Sequence, residues 1–259
     1  MNRRFLMRFL LWFCLLSVGM SGYAAESENS RLSAADFIAR VRRPSAEQSY
    51  AKLSGEIKHL RRGGETETAP IYLGVLLTGN RRLSQVIVNN NEGYRIGQAY
   101  TQDTEGTTVT PMNPDGYPDS VLADFGVKPE DLSMSFLYWK LMLESQRTTF
   151  RTADCRVFLL KNPANDEAVR AYVTTDYLFP VKVEFFADGK NLSEPVRTME
   201  VEKFQQTDSG FWVPTQLKLY GPGWRTIVSF EQTEAEKLDP SNPPQDVMRT
   251  LPEAAAKTE

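Results

Sequence analysis

The sequence predicts a mostly β, α+β fold: one curved antiparallel sheet of about ten to eleven strands, wrapped around a few short helices. Three observations predict it. A period of two dominates the pattern from residue 51 onward, and Gly-, Asn- and Pro-containing turns separate the alternating runs. In the C-terminal half one parity of each run is apolar and the other charged, as in a sheet with one covered and one wet face.

The elements follow in order. Ser33 can cap a helix over 33–43, with Asp36 in its first turn, Phe37, Ile38 and Val41 on one face, and Pro44 stopping it. Ala51, Leu53, Gly55 and Ile57 then alternate with Lys52, Ser54, Glu56 and Lys58. A second run covers Ile71 to Leu77, and Leu83 to Val88 follows a turn at Gly79 and Asn80. Tyr94, Ile96 and Tyr100 come after the polar turn 89–93, which completes a four-stranded meander. Residues 101–119 are polar, with Pro111, Pro114 and Pro118, and leave room for one short strand near Thr107 to Thr110. Within 120–143, Ser120 to Phe125 suits one or two helical turns, and Pro129 to Trp139 a short helix with Leu132, Phe136 and Trp139 at helical spacing. Strand patterns resume at 147–150, 155–160, 169–174, 181–186, 196–204, 211–220 and 224–230. The remainder turns Glu-, Pro- and Ala-rich, so 240–259 is expected to be a disordered tail.

The N-terminus has the layout of an export signal. Arg3, Arg4 and Arg8 precede an apolar core over 9–18, and Ser21 to Ala25 supply small residues at a cleavage site. The apolar run is shorter than the ~20 residues a bilayer-spanning helix needs. Residues 1–25 are therefore expected to be a cleaved signal peptide, with 26–239 as one folded domain in the periplasm and no stable membrane span after cleavage. Cys14 lies inside the apolar core, after Trp12 and Phe13, which excludes it as a lipidation site. Only Cys155 then remains, so the fold must be held by its core without an internal disulfide. Loss of three arginines makes a chain of formal charge −3 more acidic still, which argues against nucleic acid as a partner.

Enzyme chemistry finds no footing. His59 is the single histidine; it has no Cys partner at metal-ligand spacing, and no Gly-x-Ser-x-Gly elbow supplies it with a nucleophile. A solvent-facing histidine at a strand end is the expectation. Cys155 sits on the apolar parity with Val157 and Leu159 and is expected to be a core residue. Glu130 and Asp131 suit a helix start. The expectation is a protein that is not an enzyme and needs no cofactor and no metal.

The apolar strand faces stand out instead. Val181, Val183 and Phe185 oppose Lys182 and Glu184, while Met199 and Val201 oppose Glu200 and Glu202. Val213, Leu217 and Leu219 oppose Gln216 and Lys218, and Trp224, Val228 and Phe230 oppose Arg225 and Glu231. Such a face must be covered, and only the helices at 33–43 and 120–143 are available. Either they suffice and form an ordinary core, or they leave a cleft for a hydrophobic ligand.

Three stretches carry a resemblance to a known family. Ala171 to Phe186, Thr198 to Phe204 and Gly210 to Leu217 resemble the LolA-like family of outer-membrane lipoprotein-sorting proteins. The shared pattern is a turn closing on Pro180, a Val-Glu-Phe-like strand, and a hairpin start at Gly210, Trp212 and Pro214; the segment at Asp131 and Leu132 looks like that family's middle helix. The resemblance implies an unclosed antiparallel half-barrel with helices lying in its concave side as a lid. It also implies a cavity for lipid or lipoprotein acyl chains, and a signature arginine for which Arg42 and Arg43 are both candidates. Joined to the strand parity, it makes Val183, Phe185, Met199, Val201, Leu217, Val228 and Phe230 the expected ligand-binding face, closed by Phe37, Ile38, Phe136 and Trp139. Two functions are open. One is a periplasmic carrier of lipid or lipoprotein acyl chains in outer-membrane lipoprotein sorting; the other is an envelope interaction or sensor module that binds a protein partner without cargo.

Overall fold

The computed structural model describes residues 28–42, 48–78, 81–99, 107–239, 241 and 244–251. The expected signal peptide at 1–25 and the turn at Gly79 and Asn80 lie outside them.

Among the described residues, twelve strands form one sheet: β1 (Ser49–Arg61), β2 (Thr66–Thr78), β3 (Arg81–Val88), β4 (Glu92–Ala99), β5 (Thr108–Pro111), β6 (Lys140–Phe150), β7 (Ala153–Lys161), β8 (Ala168–Thr174), β9 (Pro180–Phe186), β10 (Arg197–Gln206), β11 (Trp212–Gly221) and β12 (Trp224–Lys237). Their order is β5-β4-β3-β2-β1-β12-β11-β10-β9-β8-β7-β6, with antiparallel pairing throughout. The two edges, β5 and β6, never meet, so the sheet is an unclosed half-barrel. Consecutive strands are joined by hairpins on each side, and β12 returns to pair with β1 in the middle. That closure brings the backbones close at Gly55, beside a bulge. A Cβ there would stand 1.9 Å from the Ser229 carbonyl oxygen, so a side chain is excluded.

The topology dictates where the lid lies. β5 and β6 are neighbours in sequence but occupy opposite edges, so the connection between them must cross the whole sheet. It crosses on the apolar face as α2 (Val121–Asp124), α3 (Pro129–Leu132) and a 3-10 turn (Ser135–Tyr138). α1 (Ala34–Arg42), capped by Ser33 accepting from the Asp36 N–H at 3.1 Å, covers the far end and stacks Phe37 on Phe158.

Three expectations need correction. The sheet has twelve strands where ten to eleven were expected, and of the two helical stretches expected within 120–143 the second, from Pro129 to Trp139, breaks into α3 and the 3-10 turn. Positive φ at Gly126 and Met134 prevents a continuous helix, and Lys140 onward is already β6. Trp139 therefore ends the lid as an extended residue. The tail expected to be disordered is packed over 244–251, on the face opposite the core. The Tyr72 hydroxyl lies 2.9 Å from the Asp246 carbonyl oxygen and 3.0 Å from that of Val247, while Gln85 and Arg249 exchange two bonds of 2.7 Å. Arg249 also covers the Tyr72 ring at 3.5 Å, and Val247 is buried. Composition misled because the polar partners of this segment are single residues on two strands far away in sequence, Tyr72 of β2 and Gln85 of β3.

Candidate functional site

Register places the expected ligand-binding residues on one face. Ala171 faces Val183, Val183 faces Met199, and Met199 faces Leu219. The next row runs Val201, Leu217, Val228, Ile57 and Ala69. Phe185 and Phe230 belong to the same cluster, with Phe37, Ile38 and Phe136 above them and Trp139 packed at its margin. The eleven residues are brought together, but as a filled interior: Phe185 is 6 % exposed and meets Phe136 edge to face at 5.7 Å.

The underside of the lid is apolar, with Leu122, Phe125, Val127, Leu132 and Leu137 buried against the sheet. Its rim is polar, and fixed to the barrel at several points. Glu92 of β4 accepts from the Ser120 hydroxyl at 2.5 Å and from the Val121 N–H at 2.7 Å, holding the start of α2. Arg197 of β10 grips Asp131 of α3 with both prongs. Lys128 reaches Glu167 at 2.6 Å. Arg42, at the end of α1, donates to the carbonyls of Leu137 at 2.7 Å and Trp139 at 2.5 Å, and its own carbonyl accepts from the Tyr138 hydroxyl at 2.9 Å. Of the two arginines that the resemblance left open, Arg42 makes this contact; Arg43 lies outside the described residues.

Sequence reasoning missed most of these anchors, yet a signal was present. Glu92 shares its parity with Tyr94 and Ile96, Arg156 with Phe158 and Leu160, His59 with Ile57, and Arg197 with Met199 and Val201. A charged or titratable side chain at the end of an apolar parity marks a place where the inner face turns polar. Arg156 is 2 % exposed, pairs with Glu144 through two bonds of 2.7 and 2.6 Å, and donates to the Asn29 and Leu32 carbonyls, tying down the entry to α1.

His59 is a correction of another kind. Expected in solvent, it is 2 % exposed. It stacks on Phe125 with ring centres 5.0 Å apart, and lies 2.8 Å from the Thr226 hydroxyl, which donates to the Phe125 carbonyl at 2.5 Å. Thr226 therefore accepts from His59 Nδ1–H, which leaves the Nε2 lone pair to accept from Arg61 Nε at 3.0 Å. The ring is neutral. Burial first, then the Arg61 charge, push its pKa below the ordinary value. Cys155 is buried too, but on the opposite parity from Phe158 and Leu160, so it lies outside the main core. Burial raises its thiol pKa, the reverse of what a nucleophile needs.

An open cleft lies to one side of the expected ligand-binding residues. A cleft of about 710 Å³ opens between the end of β1, the β11–β12 hairpin and the α2–α3 segment, lined by His59, Arg61, Arg62, Leu122, Asp124, Lys128, Arg197 and Trp224 among others. Among the described residues, no group of three or more His, Cys, Asp or Glu side chains could hold a metal ion, and no helix is long and apolar enough to cross a membrane.

These elements define a class of fold, an unclosed antiparallel half-barrel with a lid packed across its concave face. That architecture is LolA-like, as two solved structures show. An outer-membrane lipoprotein-sorting protein domain from Vibrio parahaemolyticus superposes with a TM-score of 0.57 at 12% identity, over 80% of this chain and 94% of that one. A DUF1329 family protein from Desulfovibrio piger gives 0.56 at 14% identity, over 77% and 90%. A LolA superfamily protein from Nitrosomonas europaea aligns over 83% of this chain and 99% of its own, at 12% identity and a TM-score of 0.48. No family model matches the sequence, and no curated protein does. The likeness is one of fold.

Proposed function

We propose that this chain is an exported periplasmic protein that takes up an acyl chain of a lipid or lipoprotein between the sheet and the lid, in the service of outer-membrane lipoprotein sorting. The observation that carries the reading is the construction of the lid: apolar beneath, and held at its rim by side chains from β4, β10 and α1. Polar fasteners of this kind exchange their partners for water one at a time, and the layer of Leu122, Phe125, Val127, Leu132 and Leu137 beneath them is apolar, while the buried pair of Asp131 and Arg197 stays closed and keeps the lid attached. Each methylene of an entering chain gains ~0.8 kcal/mol on leaving water, so about twelve gain on the order of 10 kcal/mol gross. That gain is available only if Leu132, Phe136 and Leu137 re-pack on the cargo instead of facing solvent. Uptake on this reading is an exchange of apolar partners at the underside of a lid that stays attached. The lipoprotein-sorting neighbour supports the reading through its fold.

Native mass spectrometry of protein prepared from the envelope fraction tests it. The expected result is an added mass matching one lipid or acylated peptide, on a chain beginning at Ala25 or Glu26. A bare chain, even after incubation with short-chain lipid, would overturn the carrier reading.

The exposed aromatic residues favour a second reading, docking to an envelope protein partner without cargo. Tyr177 is 71 % and Trp212 58 % exposed, with their rings 6.5 Å apart. Cross-linking from position 177 in intact cells separates the two: this reading expects one discrete protein adduct, and the carrier reading expects none.

A further inference from the structure

The cleft beside the lid has a wall chemistry unlike that of the apolar interior. Four basic side chains, Arg61, Arg62, Lys128 and Arg197, share it with one carboxylate, Asp124. Lys128 and Arg197 are each paired with an acid outside the wall, Glu167 and Asp131. Arg61 is held differently. Its Nε donates to the neutral ring of His59 at 3.0 Å, and its Nη2 to the Asp124 backbone carbonyl at 3.1 Å. Both acceptors are uncharged, so they aim the guanidinium without neutralising it.

The aiming is built from the core outward. The Phe125 carbonyl accepts from Thr226, Thr226 accepts from His59, and His59 accepts from Arg61, so three residues, on the lid, β12 and β1, set one side chain. Beside it the Trp224 ring lies so close to Gly126 that a Cβ there would stand 2.7 Å from it. Leu122 and Val127 extend that apolar wall. In a chain of net charge −3 this basic cleft is a local feature and does not arise from a general field.

We propose that the cleft binds a phosphate-type oxyanion carried on an apolar or flat body, with Arg61 and Arg62 on the oxyanion and Trp224 against the body. A guanidinium matches phosphate oxygens with paired donors, which a point charge cannot do. The volume suits a whole small ligand or a lipid headgroup, since binding pockets run from about 300 to 1,000 Å³ and a bare phosphate would fill little of one. The cleft shares no residue with the eleven of the concave face, so the site stands or falls apart from acyl-chain uptake.

Calorimetric titration of the full mature chain tests it with three titrants: inorganic phosphate, a monomeric short-chain phosphatidylglycerol, and a short-chain diacylglycerol lacking phosphate. The phosphatidylglycerol is expected to bind, at least tenfold more weakly once the exposed Arg62 is replaced in Arg62→Gln, with unchanged melting. Arg61→Gln should weaken it at least as much. Inorganic phosphate binding as tightly as the lipid supports the oxyanion site and names the free anion as its source. Diacylglycerol binding as tightly as phosphatidylglycerol, no binding of either anion, or titrations unaltered in both arginine variants would each overturn the proposal.

Discussion

Arg197 of β10 and Asp131 of α3 form a two-pronged ion pair between the sheet and the lid, one bond at 2.9 Å, with the aspartate almost wholly withdrawn from solvent. Asp131 also accepts from the Lys128 N–H at 2.7 Å, so a single carboxylate caps α3 and fastens it to the sheet. Removing the arginine alone strands a buried charge. Arg197→Met is expected to cost ~3–5 kcal/mol of unfolding free energy, while adding Asp131→Asn should restore part of it. Chemical denaturation of both single variants and the double variant measures the coupling; additive losses would show that the two residues do not act as a pair.

Arg42 fastens the other end of the lid without a carboxylate. Its two bonds go to the carbonyls of Leu137 and Trp139, each worth about 1.5–3 kcal/mol when the donor is charged. Arg42→Met keeps much of the side-chain volume and loses both. Hydrogen exchange should then speed up over 121–139 and remain unchanged in β1, β11 and β12. Uniform acceleration across the sheet would mean that Arg42 supports the fold as a whole and not the lid.

Phe185 tests the filled interior and the proposed uptake of cargo together. With its ring against Phe136, Phe185→Ala should cost ~3–5 kcal/mol in the cargo-free protein. If an acyl chain enters there, the cavity left behind is one that the chain fills, so a short-chain lipid should recover more stability in the variant than in the parent. Equal shifts in melting with added lipid would place the cargo elsewhere.

His59 makes stability depend on pH in a stated direction. Its folded pKa lies below the ordinary ~6.5, so the unfolded chain takes up the proton first as pH falls. The associated stability is fully present above about pH 6.5 and is lost as pH drops from there toward the depressed folded value. Denaturation curves from pH 7.5 to 5 should converge for the parent and His59→Gln at the acid end. Parallel curves would show that the histidine does not titrate with unfolding.

Strand parity made much of this molecule readable in advance. The alternation of Val183, Met199, Leu217 and Val228 against charged neighbours named the inner face, because the side-chain period of a strand is two and only one parity can face a core. The proline turn at Pro180 and the hairpin at Gly210 were local signals of the same kind. Sequence alone therefore determined the class of fold, the face that is covered, and the two segments that cover it. What it could not contain is which strands are the edges. Because β12 pairs with β1, β5 and β6 fall on opposite sides of the sheet, and the chain between them has to cross the apolar face as the lid. That single long-range pairing also put His59 beside Thr226 and brought Arg61 to the rim of the lid, while the lid carried Asp131 to Arg197. Alternation is fixed by the backbone geometry of each strand on its own; the pairing of strands more than a hundred residues apart is settled by the packing of the whole sheet, and the polar fasteners and the basic cleft exist only once it has formed.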